Sequence, residues 1–323
     1  MTEPWLILGI GELLWDMFPE GSKPAGDSER SAVNGLLGGA PANFAVMAGR
    51  LGDHAAILSR IGRDDLGRKA IDALDTLPVD TSHLQVDPLH DTGRVTVALK
   101  DGQPEYVIHQ PSAWDFFELS DEWVRLAERA DAICFGSLAQ RSPESRQTIQ
   151  TLVAQTSADC VRVFDVNLRV PFYSAETLQE SLELATVVKM NDAEVPTVLT
   201  TLGIAEEDEA VASKLRSGAQ RLLAEFPDVQ MVAITRGGHG SILIRRDEWD
   251  EHPGIPIRVA DTIGAGDAFT AAVTHYLLRG ADLPTLNEAG NRWGSWMAAQ
   301  SGAMPVLPDA TRAGIAAAIE GRA

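Results

Sequence analysis

Short apolar runs typical of strands alternate along most of the chain with longer stretches whose apolar residues recur at helical spacing. The apolar runs span residues 6–11, 55–62, 131–139, 161–168, 187–191 and 229–237. The helical stretches span residues 64–75, 143–157, 175–186 and 208–225, followed by 267–279, 285–301 and 309–320. Apolar strands that alternate with helices predict a doubly wound α/β fold, in which helices cover both faces of a mainly parallel sheet.

Two segments interrupt this alternation. Residues 16–36 are rich in Gly, Ser and charged residues, and residues 92–110 alternate polar and apolar positions about Asp101-Gly102, a dipeptide typical of hairpin turns. We expect a small β-lid outside the main sheet, formed by inserted segments at approximately 12–36 and 92–115. Because no linker or repeat divides the chain, we expect a single domain spanning residues 1–323.

The composition is that of a folded, acidic protein. The 323 residues include 27 Lys and Arg against 46 Asp and Glu, a net charge of −19, and no basic block that could neutralise a nucleic-acid backbone. No apolar run approaches the length of about 18 residues needed to span a membrane, and the N-terminus lacks a basic signal-peptide segment. We therefore expect no nucleic-acid partner, no membrane association and a cytoplasmic location. Cys134 and Cys160 lie in strand-like runs and are predicted to be buried and unpaired.

The stretch DTIGAGDAFTAAV, residues 261–273, places small residues directly before an apolar helical pattern. Gly264, Ala265 and Gly266 leave the first N–H groups of the helix uncovered, so that a phosphate could approach the positive end of the helix dipole. Asp267 could take a proton from a substrate hydroxyl while those N–H groups stabilise the transferring phosphoryl group. The alternative is that Asp267 only caps the helix, and these residues alone leave both interpretations open.

A second glycine-rich stretch, LLGGAPANFAVMAGRLG, begins another amphipathic helix at residues 36–52. Gly39 would let a ligand approach the backbone, and the Asn43 amide both donates and accepts hydrogen bonds, which suits a polyol. Asp16 is a further acceptor for hydroxyl groups. The alternative is an ordinary Gly-Pro loop with Asn43 inside the helix. The chain contains no GxxxxGK[ST] motif, and GIGELL lacks the third glycine of a dinucleotide fingerprint, which disfavours P-loop NTPases and Rossmann dehydrogenases.

Polar residues recur where the predicted strands end. They are Asp165, Asn167 and Arg169, then Asn191 and Glu194, then Thr235, Arg236 and Gly237. In an open parallel sheet the ligand crevice lies outside the carboxyl ends of the strands, so these residues should converge with Asp261 and Asp267. Glu194 is the candidate for Mg²⁺, acting through water, because Mg²⁺ keeps much of its hydration shell. Arg169 and Arg236 could neutralise phosphate oxygens, or each could be an ordinary surface charge.

In their order along the chain these motifs resemble those of the ribokinase-like, or PfkB, carbohydrate kinases. GGAPANFAVMAGRLG is similar to the first signature of that family and DTIGAGDAFTAAV to the second. KMNDAE resembles its NxxE motif and ITRGGHG its nucleotide-side TxGxxG turn. The resemblance covers essentially the whole chain, and GELLWD, AWD, FGSLAQRSPESR and FDVNLRVPFY are most similar to fructokinases.

The resemblance implies a ribokinase-like fold and an ATP-dependent, Mg²⁺-requiring sugar kinase, with fructose as the expected substrate. It implies that Asp267 is the catalytic base and that Gly264, Ala265 and Gly266 form the anion hole. The implied sugar-binding residues are Asp16, Gly39, Asn43, Trp114 and Arg169. Mg-ATP would be bound by Asn191, Glu194, Thr235, Arg236, Gly237, Gly240 and Asn291. Asp261 is the candidate ligand for K⁺, although Val306 stands where some members carry Ser, and the lid would form the contact of a homodimer.

Two other functions stay open at the level of sequence. A kinase of the same family could act on another substrate, such as 2-keto-3-deoxygluconate or a nucleoside. A non-catalytic sugar- or nucleotide-binding regulator could share the fold, although a pure sensor has no need of a base at Asp267.

Overall fold

The apolar runs of the sequence form the strands of the protein. The computed structural model describes residues 4–18, 34–100, 103–205 and 211–321. Within these residues the strands are β1 (Leu6–Ile10), β2 (Leu14–Met17), β3 (Gly35–Gly38), β4 (His54–Leu58), β5 (Arg60–Gly62), β6 (Gln85–Asp87), β7 (Gly93–Lys100), β8 (Gln103–Ile108), β9 (Ala132–Gly136), β10 (Val161–Asp165), β11 (Val187–Asn191), β12 (Met231–Thr235), β13 (Ser241–Ile244) and β14 (Trp249–His252).

The main sheet has eight strands in the order β14-β13-β12-β11-β10-β9-β1-β4. The strands from β12 to β4 pair in parallel, whereas β13 and β14 are antiparallel at one edge. The predicted mainly parallel sheet is therefore confirmed. The antiparallel edge was not predicted, because β13 and β14 have only four residues each and show no clear pattern. The strand order reverses between β1 and β9, where open α/β sheets form their ligand crevice.

Helices cover both faces of this sheet, as predicted. They are α1 (Ala40–Leu51), α2 (Asp65–Leu74), α3 (Asp121–Arg129), α4 (Pro143–Gln155), α5 (Ala175–Leu184), α6 (Glu194–Thr201), α7 (Val211–Glu225), α8 (Ala265–Leu277), α9 (Leu283–Ala298) and α10 (Asp309–Glu320). Successive side chains of β1 enter opposite cores: Ile7 packs with residues of α1, α8 and α9, and Leu8 packs with residues of α4 and α5. Among the described helices, none is long and apolar enough to cross a membrane.

Among the described helices, α1 and α8 begin at a glycine with positive φ. Asp64, Ser120 and Asp282 cap α2, α3 and α9 with side chains that accept a hydrogen bond from the first turn. In contrast, α1 and α8 begin at Gly39 and Gly264, which have positive φ and supply no side-chain cap. The N-cap residues of these two helices therefore place no side chain over the first N–H groups, although in α1 the N–H of Ala40 donates to Oε1 of Glu12 at 3.2 Å.

A second sheet has four strands in the order β3-β2-β7-β8. In this small sheet β2 is antiparallel to β3 and parallel to β7, and β7 and β8 form the predicted hairpin. The expected turn at Asp101-Gly102 and residues 19–33 of the first lid segment lie outside the described residues. That the small sheet acts as a lid on a single domain, and that it joins two copies of the chain, stay proposals.

The two cysteines are buried and unpaired, as predicted. Burial raises the pKa of the Cys160 thiol to about 11, and it raises the pKa of Cys134 well above its ordinary value. Both thiols are therefore protonated and unreactive at neutral pH.

Candidate active site

Helix α8 begins within the glycine-rich stretch at residues 264–266. Gly264 is its N-cap with φ 75°, and a Cβ at this position would lie 3.0 Å from Cα of Ala303. Glycine adopts this positive φ without strain and has no Cβ that would contact Ala303. The N–H of Ala265 turns back to the carbonyl of Thr262 at 3.3 Å, which leaves the next N–H groups of the first turn for a ligand. This geometry suits an anion.

Asp267 lies inside the first turn of α8, three residues after the N-cap. The structure therefore excludes the interpretation that Asp267 caps the helix. Its side chain is buried, and Oδ2 accepts a hydrogen bond of 2.7 Å from Nδ2 of Asn43 on α1. The two glycine-rich stretches thus meet, with the proposed base on one and its hydrogen-bond donor on the other.

A cavity of 630 Å³ opens beside Asp267 and has residues of both sheets in its wall. Its lining includes the predicted site residues Asp16, Gly39, Asn43, Arg169, Gly264, Gly266 and Asp267. Asn167 lines it as well, so part of the expected convergence of strand ends is present. Glu12 and Lys189, for which the sequence predicts no role, also line it. A separate cavity of 480 Å³ between β14 and α9 is lined by other residues.

Lys189 on β11 brings a positive charge to this cavity. Its Nζ lies 3.1 and 3.2 Å from the two carboxylate oxygens of Asp165 on β10. A Cβ on Gly266 would lie 2.9 Å from Nζ, so the ammonium lies against the first turn of α8. Burial alone would lower the pKa of Lys189, but the surrounding carboxylates, Asp165 first, raise it above its ordinary value. The lysine is therefore charged at neutral pH.

The surroundings of Asp267 raise its pKa to about 6. Burial is the main cause and the charge of Asp165 adds to it, whereas Lys189, the hydrogen bond from Asn43 and Arg169 act in the opposite direction. A carboxyl group with this pKa is deprotonated at neutral pH and is a stronger base than an exposed aspartate. This is the property expected of a general base.

Two charged residues of the predicted sugar site line the same cavity. Asp16 is half-buried on β2, where burial raises its pKa and Arg169 opposes that effect. Arg169 is exposed after β10, and its Nη1 donates to the carbonyl of Leu168 at 3.0 Å. A carboxylate acceptor and a guanidinium donor in one cavity suit a ligand that carries hydroxyl groups and, after transfer, a phosphate.

Asn191 and Glu194 form a closed hydrogen-bonded pair. Oε2 of Glu194 accepts from the N–H of Asn191 at 2.8 Å, and Oδ1 of Asn191 accepts from the N–H of Glu194 at 3.0 Å. Oε1 of Glu194 accepts from the N–H of Leu168 at 2.8 Å, so the carboxylate joins the ends of β10 and β11. Burial raises its pKa. Contact with Mg²⁺ through water stays a prediction, and the described residues contain no cluster of three or more acidic, His or Cys side chains that could hold a metal.

The residues predicted to contact the nucleotide at the end of β12 are Thr235, Arg236, Gly237 and Gly240. Gly240 has φ 79°, and a Cβ there would lie 2.0 Å from the carbonyl oxygen of His252. Nη1 of Arg236 donates to Oε1 of Glu251 at 2.6 Å and Nη2 donates to the carbonyl of His252 at 3.1 Å. The expected contact of Arg236 with phosphate oxygens therefore finds no support in its position.

Two further predicted ligand-binding residues hold protein segments together. Nδ2 of Asn291 donates to Oγ of Ser241 at 2.7 Å, which joins α9 to β13. Asp261 accepts from the N–H of Ile263 at 3.0 Å and from the N–H of Gly302 at 3.1 Å, which joins the loop before α8 to the loop after α9. Their contacts with nucleotide and with K⁺ stay predictions.

Trp114 is not among the residues that line the cavity, and its expected contact with the sugar stays a prediction. Its side chain is fully buried, and the guanidinium of Arg141 stacks over the ring at 3.8 Å. Arg141 also donates to both carboxylate oxygens of Asp115 at 2.7 and 2.8 Å. A Cβ on Gly93 would lie 2.3 Å from Nε1 of Trp114, so the indole packs tightly against the start of β7. Trp114 supports the small sheet from within the core.

Gly39→Ala is expected to destabilise the protein. Gly39 has φ 126°, and a Cβ there would lie 2.1 Å from the carbonyl oxygen of Glu12. The backbone strain alone costs about 1–3 kcal/mol, and the clash adds to it. Urea unfolding measures the loss, and an unchanged free energy of unfolding would contradict the argument. Gly314→Ala on α10 is the matched control, because a Cβ there meets nothing within 4 Å and alanine favours a helix by up to about 1 kcal/mol.

Asp267 and the start of α8 lie side by side at the carboxyl edge of the main sheet, with residues of the small second sheet in the wall of the same cavity. The structure matches those of a sugar kinase from Pyrococcus horikoshii and a fructokinase from Vibrio cholerae, and the fold is that of the ribokinase-like kinases. The family model described as pfkB family carbohydrate kinase matches residues 7–310. The chain belongs to this family and is a carbohydrate kinase.

Relatives of known sequence and structure cover nearly the whole chain. The sugar kinase PH1459 of Pyrococcus horikoshii is 31% identical over 88% of this chain and 87% of its own length. Its crystal structure matches with a TM-score of 0.75 at 30% identity over 93% of each chain. The fructokinase of Escherichia coli is 28% identical over 93% of this chain and 95% of its own. The structure of Vibrio cholerae fructokinase with fructose, ADP and calcium matches with a TM-score of 0.76 at 25% identity, over 96% of this chain and 98% of its own.

Proposed function

We propose that this carbohydrate kinase transfers the γ-phosphoryl group of ATP to a hydroxyl of fructose and requires Mg²⁺. The observation that carries the proposal is the carboxylate of Asp267, which lies in the first turn of α8, lines the 630 Å³ cavity and has its pKa raised to about 6. The relatives named fructokinase support fructose as the sugar. The structure of PH1459 in complex with ATP supports the nucleotide.

Asp267 takes the proton of the attacking hydroxyl. Nδ2 of Asn43 holds Oδ2 of the carboxylate, which leaves Oδ1 for the sugar. As the hydroxyl oxygen bonds to the γ-phosphorus, the bond to the bridging oxygen of ATP breaks and ADP leaves. The N–H groups at the start of α8 and the ammonium of Lys189 stabilise the negative charge on the phosphoryl oxygens. Asp16, Asn43 and Arg169 bind the sugar.

Glu194 is the residue that would hold Mg²⁺, through water. When bound, Mg²⁺ would neutralise charge on the phosphates of ATP. The position of Glu194 suits a contact with Mg²⁺ through water, because both of its carboxylate oxygens already accept backbone hydrogen bonds. Asp261 is the proposed ligand for K⁺.

The small sheet is the proposed lid. Asp16 on β2, Val95 on β7 and Ile108 on β8 line the cavity, so three of its strands contribute to the wall beside the sugar. Closure of this wall would exclude water and limit hydrolysis of ATP in the absence of sugar.

A substrate panel tests the proposed function. Release of ADP is measured with Mg-ATP and fructose, other hexoses, 2-keto-3-deoxygluconate and nucleosides, and we expect the highest kcat/KM with fructose. Turnover of another substrate together with no turnover of fructose would show that the enzyme is a kinase with a different substrate. Sugar binding with no release of ADP from saturating Mg-ATP would favour a regulator instead.

The pH dependence tests the base. We predict that kcat/KM for the sugar falls as the pH drops through about 6, because Asp267 is active as a carboxylate and is protonated below its pKa. Steady-state rates between about pH 5 and 8 should show this acidic limb. A kcat/KM that does not change with pH over that range would contradict the assignment of Asp267 as the base.

A further inference from the structure

Glu12 is a buried carboxylate that the proposed reaction does not use. It follows β1, at the edge where the strand order of the main sheet reverses, and its residue surface is 4% exposed. Oε1 accepts a hydrogen bond of 3.2 Å from the N–H of Ala40, the first residue of α1. The backbone carbonyl of Glu12 packs against Gly39. The start of α1 therefore fixes both the backbone and the side chain of Glu12.

The second oxygen of this carboxylate has no hydrogen-bond partner within the described part of the chain. Oε2 is buried, although Glu12 lines the 630 Å³ cavity. Burial raises the pKa of Glu12 to about 7, an effect that its backbone hydrogen bonds and Arg169 only partly offset. A buried carboxylate oxygen without a donor is costly, and a hydroxyl of a ligand in the cavity would supply that donor.

Asn43 shows the same pattern in the same cavity. Its Nδ2 is used by Asp267, while Oδ1 is buried and unpaired in the described structure. Carboxylate and amide oxygens can only accept hydrogen bonds. A ligand with several hydroxyl groups satisfies both Glu12 and Asn43 and still presents one hydroxyl to Asp267.

We propose that Glu12 is a substrate-selecting residue whose Oε2 accepts a hydrogen bond from a sugar hydroxyl other than the one that is phosphorylated. This inference rests on the proposed function and adds a residue to it. A site built to pair with a hydroxyl rejects an analogue that lacks it, because the buried acceptor is then left without a donor. Glu12 thereby favours polyhydroxylated substrates over deoxygenated ones.

Glu12→Gln is the first test. Glutamine keeps the size of the side chain and can accept from the N–H of Ala40 through its amide oxygen, but it replaces Oε2 with a donor. We expect KM for the sugar to rise about 10–100-fold, with little change in kcat and none in KM for ATP. The same substitution at the exposed Glu128 on α3 is the matched control. A correctly folded Glu12→Gln enzyme with the wild-type KM for the sugar would overturn the proposal.

Deoxy analogues separate a direct contact from an indirect effect on the cavity. The series is made from whichever sugar the wild type phosphorylates, so the test does not depend on fructose. One analogue should lose far more kcat/KM than its isomers with the wild type, and that difference should disappear in Glu12→Gln. A variant that weakens every analogue equally would refute the contact. If the wild type phosphorylates no sugar, the proposed function fails instead.

The wild type offers an independent measurement should the variant not fold. A hydroxyl that donates to Oε2 stabilises the carboxylate, so saturating sugar should lower the pKa of Glu12 in a carboxyl ¹³C NMR titration without ATP. A pKa that does not fall when the sugar binds would overturn the inference.

Discussion

Asp267→Asn is expected to lower kcat by about 10²–10⁴-fold while the protein stays folded. Asparagine has the shape of aspartate and can still accept from Nδ2 of Asn43 through its amide oxygen, but it cannot take the hydroxyl proton. The open first turn of α8 and the other cavity residues are unchanged, so sugar and ATP should still bind. Steady-state kinetics give kcat, and calorimetric titration gives the two affinities.

The matched control for this variant is Asp309→Asn. Asp309 also lies in the first turn of a helix, α10, but its side chain is almost fully exposed. Its removal should leave kcat unchanged. Activity of Asp267→Asn within a few-fold of the wild type would rule out Asp267 as the base.

Lys189→Met is expected to lower kcat by about 10²–10³-fold, the usual effect of removing a donor that stabilises transition-state charge. Methionine is similar in length to lysine and carries no charge. Because Lys189 lowers the pKa of Asp267, its removal should also move the acidic limb of the pH profile above about 6. The rate must be measured over a pH series, since the shift of the acidic limb distinguishes the loss of the positive charge of Lys189 from a general disruption of the active site.

A double variant shows whether the lower kcat of Lys189→Met results from reduced stability. Lys189→Met leaves the carboxylate of Asp165 buried without its cation, which can cost about 3–5 kcal/mol of stability. Lys189→Met combined with Asp165→Asn removes that unpaired charge. Restored stability with kcat still low is the expected result. Recovery of both would show that Lys189 only neutralises Asp165.

The sequence predicts the six parallel strands of the main sheet because each is a compact apolar run, and burial on both faces is a local property of such a run. The order of these strands in the sheet is not local. It depends on which faces pack against which helices, as in the separate cores that receive Ile7 and Leu8. The small sheet was foreseen as two segments, but its central pairing of β2 with β7 joins residues about eighty positions apart, which periodicity does not encode.

The first turn of α8 could be predicted because consecutive residues encode its chemistry. Lys189 and Glu12 were missed, since their roles depend on partners from distant segments such as Asp165 and Ala40. A signal for Lys189 was present in VVKMN, because a lysine within a buried strand needs a carboxylate partner.

For Trp114 and Arg236 the sequence predicts ligand contacts that the positions of their side chains do not support. The sequence places both residues in the correct loops, but it does not determine the direction of their side chains. Trp114 points into the core under Arg141, and Arg236 pairs with Glu251. Tertiary packing decides whether a side chain near a motif faces the ligand or the protein.

The hydrogen bond between Asn43 and Asp267 joins residues 224 positions apart, and it bears on the synthesis of the protein. A ribosome completes α1 long before α8, the helix that packs on it in the same core. A nascent chain that ends before α8 carries Asn43 but lacks the proposed base, and it leaves uncovered the side of α1 that packs on α8. Premature termination therefore yields an inert fragment with an open core, a form that chaperones and proteases recognise.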